Sequence, residues 1–177
     1  MDALLQSLLA ESARAARPSR ATIRSGTWPR TARARSGRRR RDSGFRERVL
    51  RAYEYRCCVC GFDLRIGQVS AGLEAAHIQW HHVGGPDVEP NGLALCALHH
   101  KLFDLGAFTV ELTEHRVVFS QHAIAGDRGA QGELRHYGHP VLAPQQVDMR
   151  PAAGFLTWNL KNVFNTPGRG WHNQPSR

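Results

Sequence analysis

The sequence predicts a small α+β domain over residues 42–165, held together by metal-ligating side chains and preceded by a disordered basic arm. Three observations predict it. Helix-like and strand-like stretches follow one another after the arm, two cysteine-containing pairs have metal-ligand spacing, and residues 1–41 lack the composition of a folded segment. A chain of 177 residues with 41% hydrophobic residues suits one domain with a modest core.

The positive charge of the chain is confined to its first quarter. Residues 1–41 contain 11 arginines and two acidic residues, so they carry the whole formal net charge of +9. Large apolar residues are almost absent from residues 18–41, which predicts a disordered arm or linker. The arm ends in a run of four arginines, Arg38, Arg39, Arg40 and Arg41. This run favours contact with DNA phosphates, and the alternative is a solvated charge run without a partner.

Several protein classes are excluded by the sequence. No apolar run approaches the roughly 18 residues that a membrane span requires, so we expect no membrane partner. No signal-peptide pattern is present, and a cytoplasmic location is expected. Three of the four cysteines crowd into four positions, whereas a secreted disulfide framework would spread them. Residues 166–177 are predicted to form a flexible tail.

The first helix is predicted to begin at Phe45. Phe45, Val49 and Tyr53 recur at helical spacing, and Ser43 is a suitable N-cap. A tight turn follows at the cysteine cluster.

The remaining elements surround a glycine-containing loop. A strand over residues 73–80 precedes this loop, and a helix from Gly92 to Asp104 follows it, with Asn91 as its cap and Gly106 near its C-cap. We also predict a hairpin of residues 108–112 and 116–120, and a closing helix over residues 152–164 whose core residues are Phe155, Trp158, Leu160 and Val163.

Two pairs of ligands predict one structural zinc site. Cys57 and Cys60 can chelate an ion from a single turn, and Cys96 and His99 can reach the same ion from the start of a helix. Such a site would attach the first helix and turn to the later helix. The alternatives are buried or reactive thiols, or a redox pair. The presence of the Cys96/His99 pair favours zinc over these alternatives. Cys58 is expected in the core.

A second constellation lies beside the zinc ligands. His77 is in the predicted strand, Asn91 follows the loop, and His100 is next to His99 with Asp104 one helical turn later. Adjacent helical residues point about 100° apart, so His100 can face away from the zinc toward His77. An imidazole and a carboxylate on one helix face suit a divalent cation. The alternatives are a core histidine at 77, a plain helix cap at 91 and a solvated charge at 104.

The order of these motifs resembles the HNH endonucleases. LEAAHI, GGPD, NGLALC and HHKLFDLGAF resemble in particular the HNH domains of McrA-like and phosphorothioate-dependent type IV restriction endonucleases, and WNLKNVF resembles their C-terminal helix. The resemblance covers residues 44–165. It implies a ββα-metal core with flanking helices, followed by the hairpin and the closing helix.

The resemblance also implies phosphodiester hydrolysis. His77 would be the general base that deprotonates a water, and Asn91 would hold the loop and orient His77. His100 would bind the catalytic cation, with Asp104 as a further ligand. That cation would be Mg²⁺, Mn²⁺ or another divalent ion, while zinc would remain structural.

Two positions depart from the family pattern. Ala76 stands where many HNH enzymes carry a second metal ligand directly before the base, so Asp104, Glu74 or a water would take that place. Asn159 stands where related proteins often have histidine.

We therefore expect a metal-dependent DNA endonuclease of the restriction or defence type. The alternative is a catalytically inactive zinc-stabilised DNA-binding module or an accessory subunit. A homodimer or a separate recognition subunit is a further expected partner. Because one HNH site cuts one strand, a double-strand break would need a dimer or a second event.

Overall fold

The computed structural model describes residues 42–124, 126 and 131–170. These residues all lie within one compact unit, Gly37–Arg177. The arm predicted over residues 1–41, with its four consecutive arginines, lies outside the described residues, as do residues 171–177. Within the part of the chain that is described, no helix has both the length and the apolarity of a membrane span.

Short helices alternate with three two-stranded antiparallel sheets, which confirms the predicted α+β class. In chain order the elements are α1 (Phe45–Ala52), β1 (Arg65–Ile66), β2 (Val69–Ser70), β3 (Leu73–His77), β4 (Gly92–Cys96), α2 (Ala97–Asp104), β5 (Phe108–Val110), β6 (Val117–Phe119), α3 (Gln131–Leu134) and α4 (Ala153–Asn162). The sheets pair β1 with β2, β3 with β4 and β5 with β6.

Helix α1 packs one apolar face on the β3–β4 sheet. Val49 and Leu50 are fully buried in this face. The start of the helix differs from the prediction, because Gly44 is the N-cap and the Asp42 carboxylate accepts the Gly44 N–H at 2.8 Å. Ser43 as the N-cap is therefore wrong, because the helix begins after Gly44 and no side chain caps its first turn.

Strands β3 and β4 form the centre of the fold. Their register pairs Leu73 with Cys96 and His77 with Gly92. The prediction of a helix beginning at Gly92 is wrong, because residues 92–96 form a strand and α2 begins only at Ala97. All five residues of β4 are buried, and a short run that is apolar on both faces does not distinguish a strand from a buried helix. The strand predicted over residues 73–80 ends at His77.

Helix α2 completes a ββα unit with these two strands. Cys96 is its N-cap, so Asn91 is not a helix cap but the last residue of a 3₁₀ turn. The end of α2 agrees with the prediction, because Gly106 follows it with a φ of 68°. A β-carbon at Gly106 would lie 2.1 Å from the carbonyl oxygen of Val163, so this position also brings the end of α4 against α2.

The hairpin β5–β6 and helix α4 are present as predicted, but the buried face of α4 is different. Leu156 and Asn159 are buried, whereas the predicted core residues of this helix are only partly buried: Phe155, Trp158, Leu160 and Val163. The helix contacts β5, and the amide of Asn159 meets Thr109 there. The prediction assumed that only apolar residues face the core, whereas the observed core face includes the polar residue Asn159.

The described part of the predicted tail is attached to the hairpin. Gln121 donates its backbone N–H to Pro167 at 2.9 Å, and Arg169 donates its own to Phe119 at 2.8 Å. Residues 166–170 are therefore hydrogen-bonded to the domain, which differs from the flexible tail predicted for them.

Candidate metal centre and active-site cleft

The four predicted zinc ligands come together in one cluster. One ligand atom from each of Cys57, Cys60, Cys96 and His99 lies within 4.8 Å of the others. The His99 Nδ1 atom is 3.1 Å from the Cys96 sulfur and 3.6 Å from the Cys57 sulfur, and the Cys60 and Cys96 sulfurs are 4.0 Å apart. A tetrahedral zinc with bonds of about 2.3 Å requires edges of roughly 3.8 Å between its ligands. These residues could therefore hold a zinc ion.

Cys58 stays out of this cluster. Its side chain is fully buried, and burial raises the pKa of its thiol well above the ordinary value. By contrast, a hydrogen bond with Cys96 lowers the pKa of Cys57, which favours the thiolate that a metal binds. The expected core role of Cys58 agrees with this burial.

The outer edge of His99 faces a carboxylate that the sequence did not indicate. His99 Nε2 is 2.9 Å from Glu133 Oε2, and both atoms are buried. The distance suits an ion pair, and neither atom has a hydrogen-bond partner in the described structure. A histidine that binds metal through one nitrogen commonly presents the other to a carboxylate. Glu133 is in the position of such a supporting group.

A cleft of about 520 Å³ lies on the other side of α2. Its lining includes three of the predicted site residues, His77, His100 and Asp104. The side chains of His77 and His100 are 16% and 24% exposed, so both rings reach solvent. The remaining lining residues are Asp42, Ser43, Phe45, Arg46, Ala75, Trp80, His81, His82 and Asp87.

The His77 ring is held on its face and on its edge. It stacks on Phe45, with 4.1 Å between ring centroids and 20° between planes. Its Nε2 atom is 2.8 Å from Asp87 Oδ1. Burial raises the pKa of Asp87, but hydrogen bonds from the Asp42 backbone N–H and from His77 outweigh it, and the net pKa is lowered. Asp87 is therefore a carboxylate at neutral pH.

The Asn91 side chain holds the loop beside His77 through hydrogen bonds to the backbone. Its fully buried side chain accepts the Gln79 N–H at 2.8 Å and donates to the carbonyls of Gln79 and Pro86 at 3.0 and 2.9 Å. Gly85 is required here, because a β-carbon would lie 1.9 Å from the Gln79 carbonyl oxygen. The backbone carbonyl of Asn91 also accepts the Ile78 N–H at 2.9 Å. Asn91 thus orients the strand end that carries His77 without lining the cleft.

His100 lies between two carboxylates. Its Nδ1 atom forms a short hydrogen bond with Glu74, and its Nε2 atom is 3.6 Å from Asp104 Oδ2. The two carboxylates therefore contact opposite edges of the ring. Two ligands of one cation are separated by about 3.0–3.5 Å when each bond is about 2.1 Å, so His100 Nε2 and Asp104 fit a shared divalent ion. Glu74 fits the role of fixing the proton on Nδ1.

The two departures from the family pattern lie in the core. Ala76 is fully buried and points away from the cleft. Asn159 is fully buried too, and its Oδ1 atom accepts the Thr109 hydroxyl at 2.8 Å. Asn159 is not among the cleft-lining residues, so its amide serves the contact between α4 and β5.

Sequence reasoning missed two carboxylates that contact site histidines, Asp87 and Glu133. Asp87 is part of the GGPD motif, which the sequence analysis used as a loop and as a resemblance motif without assigning Asp87 a role. Its position ten residues after His77 gives no periodic relation to the strand. Glu133 comes from a polar stretch 34 residues after His99, and no local pattern relates the two.

The comparisons with known proteins agree with this geometry. Residues 57–111 match the model of the HNH endonuclease family. A solved structure of the modification-dependent TagI restriction endonuclease is 25% identical, with a TM-score of 0.50, over 71% of this chain and 39% of that one. The chain thus spans about two fifths of that protein's length, and no curated protein matches it. The chain is similar to HNH endonucleases over the segment that holds the Cys/His cluster and both cleft histidines, as its motifs predict.

Proposed function

We propose that this chain is a metal-dependent endonuclease that hydrolyses phosphodiester bonds in DNA. The observation that carries the proposal is the shared cleft of His77 and His100. His77, the proposed base, and His100, the proposed metal ligand, line one open space of about 520 Å³. This space is large enough for a hydrated ion and a phosphodiester. The similarity to HNH endonucleases supports the same reaction class.

Each cleft residue has a distinct part in this proposal. His77 takes a proton from the attacking water, since an imidazole is the side chain best suited to that transfer near neutral pH. His100 Nε2 and Asp104 hold the divalent cation, and Glu74 keeps the His100 ring in its orientation. The cation, when bound, supplies charge stabilisation for the phosphate and the leaving oxygen.

Attraction to DNA is proposed to come mainly from outside the cleft. The cleft lining mixes Arg46 and histidines with Asp42, Asp87 and Asp104, so it offers little excess positive charge. Residues 42–177 as a whole have equal numbers of basic and acidic residues. The run Arg38–Arg41 is proposed to bind the DNA backbone. We place the activity in the cytoplasm, in restriction or defence. A second copy of the chain would allow a double-strand cut, and a separate subunit would recognise the DNA.

A catalytically inactive DNA-binding module is the second candidate. The observation that favours it is Ala76, because no ligand side chain is present directly before His77. In that case the Cys/His cluster would hold zinc and the cleft would bind DNA without cutting it.

A plasmid-nicking assay separates the two candidates. Supercoiled DNA, with and without modified bases, is incubated with the full chain and Mg²⁺, Mn²⁺ or Ni²⁺. We expect nicking that falls by about 10²–10⁴-fold in His77→Ala, the contribution of a general base. The matched control is His139→Ala, which removes an exposed histidine outside the cleft.

The zinc content of each variant is measured in parallel. We expect about one zinc per chain in the wild type, in His77→Ala and in His139→Ala. Intact plasmid under every metal, from a protein that still binds DNA and zinc, would reject the enzyme and favour the binding module.

A further inference from the structure

We propose that Asp87 is the positioning carboxylate of His77, a role that rests on the proposed nuclease function. Its Oδ1 atom lies 2.8 Å from His77 Nε2, and both residues line the cleft. The two side chains are only 13% and 16% exposed, so solvent screens their interaction weakly.

Asp87 is itself held in place by α1 and the segment before it. Its second oxygen, Oδ2, accepts the backbone N–H of Asp42 at 2.7 Å. Its backbone carbonyl accepts a hydrogen bond from Arg48 Nη2 at 2.8 Å, and Arg48 also pairs with Glu89 at 2.5 Å. The carboxylate is thus fixed before any substrate binds, which is the condition for preorganised catalysis.

The ring of His77 is constrained in two independent directions. Phe45 fixes its plane by stacking, and Asp87 fixes its rotation within that plane. With an ionised Asp87 as acceptor, the proton of the neutral imidazole is on Nε2 and the lone pair is on Nδ1. Nδ1 is then the atom that takes a proton from water.

The proton balance of this step is simple. A proton moves from water to Nδ1, and the hydroxide oxygen forms the new bond to phosphorus. The bond from phosphorus to the leaving oxygen breaks in the same displacement, and that oxygen takes a proton from solvent. The resulting imidazolium is stabilised by the negative charge of Asp87, which stays deprotonated, and the proton later passes to solvent. Among the described residues, the charged and titratable groups near His77 include Asp87, which it contacts, and His81, whose ring centroid is 5.8 Å away. Asp42, Arg46, His82, His100 and Asp104 line the same cleft.

A purely structural role is the competing explanation. Asp87 also ties its loop to the start of α1, through the Asp42 N–H. A variant that merely loosened this loop would reduce stability, zinc content or substrate affinity. A positioning carboxylate, by contrast, acts on the rate through His77 alone.

The test compares Asp87→Asn with Asp148→Asn, a control that removes an exposed carboxylate outside the cleft. At saturating metal we expect kcat of Asp87→Asn to fall by about 10- to 100-fold with KM nearly unchanged, less than the full loss of the base. The acidic limb of the pH profile should move to lower pH by about one unit, because the imidazolium loses its partner charge. Asp87→Glu should restore part of the rate.

A double variant identifies the route of the effect. Since Asp87 acts through His77, adding Asp87→Asn to His77→Ala should change the residual rate by less than twofold. A further large drop in the double variant, or an unchanged pH profile in the single one, would overturn the positioning role.

A spectroscopic readout keeps this proposal separable from the nuclease function. Imidazole ¹⁵N–¹H spectra of the zinc-loaded chain should show a protected His77 Nε2–H signal that is absent from Asp87→Asn and present in Asp148→Asn. If the wild type cleaves no DNA but shows this signal, the nuclease function fails and the His77–Asp87 contact stands. If it cleaves DNA and the signal persists in Asp87→Asn, the positioning role fails and the nuclease function stands.

Discussion

The Cys/His cluster and the histidine cleft lie on two sides of one short helix, and they are built in opposite ways. In the cluster, four ligand atoms from buried or half-buried side chains already lie within 4.8 Å of one another. In the cleft, His100 has its two carboxylates at opposite ring edges, and the side chains of Asp104 and Glu74 are 43% and 51% exposed. A closed ligand set suits a structural ion, whereas an open one leaves positions for water and substrate.

Two consecutive residues of α2 divide between these sites. His99 is 1% exposed and presents Nδ1 to the sulfurs, while His100 lines the cleft. The angular step of about 100° between helical neighbours is sufficient to separate them. One helix turn therefore carries a residue of the Cys/His cluster and a residue of the cleft.

The largest expected effect comes from breaking the closed site. Cys96→Ala removes a ligand from the cluster, and we expect loss of the bound zinc and a destabilisation of several kcal/mol, because metal binding contributes to folding. Zinc content and thermal unfolding measure the two effects. The matched control is Cys58→Ala, which removes a buried thiol outside the ligand set, should retain zinc and should cost about 1 kcal/mol. Equal zinc loss in both variants would contradict the assigned ligand set.

The adjacent histidines provide the sharpest comparison. His99→Ala should lose zinc, whereas His100→Ala should keep one zinc per chain and lose DNA nicking by at least 10²-fold. Zinc analysis and the plasmid assay are run on the same preparations. Retention of full nicking by His100→Ala would show that the catalytic cation is held elsewhere.

A smaller effect is expected from the supporting carboxylate of the closed site. Glu133→Gln should weaken zinc affinity by about 10- to 100-fold, because His99 loses the charge at its outer nitrogen. Competition with a chelator measures the affinity. Glu114→Gln is the control, since Glu114 is 61% exposed and pairs with Arg116 away from the cluster. If the two variants release zinc at the same chelator concentration, Glu133 does not support the site.

The smallest effect on the domain itself is expected from the arginine run. Replacing Arg38–Arg41 by alanine should leave zinc content and thermal stability unchanged, because the Cys/His cluster and the buried core of the described residues are formed from Phe45 onward. The plot of log K against log salt for DNA binding should become shallower by about 0.9 for each phosphate that the arm no longer neutralises. An unchanged slope would assign the electrostatic attraction to the domain instead.

Local spacing explains why the closed site was predictable. Cys57 and Cys60 chelate from one turn, and Cys96 and His99 from one helix start, so both pairs are visible in the sequence. The cleft residues His77 and His100, and Asn91 behind them, were found by their order in the HNH-like motifs.

The remaining features depend on contacts between distant segments. Residues 92–96 are apolar on both faces, and only the pairing with β3 makes them a strand. Asp87 meets His77 because Asn91 and Gly85 fold the loop back on Gln79, which no periodicity indicates. Asn159 faces the core because Thr109 satisfies its carbonyl oxygen, so the burial of a polar residue depends on a partner 50 residues away.

Because of the pairing of β3 with β4, a sequence change that lies outside both sites can still affect them. Leu73 faces Cys96 at one end of this ladder and His77 faces Gly92 at the other, four residues or on the order of 14 Å away. The ladder therefore sets the distance between the Cys/His cluster and the His77 ring. A single residue inserted within β4 would shift the strand register by one position and turn the following side chains to the opposite face. The sequence would still contain every residue of the cluster and of the cleft, but their relative positions would be lost.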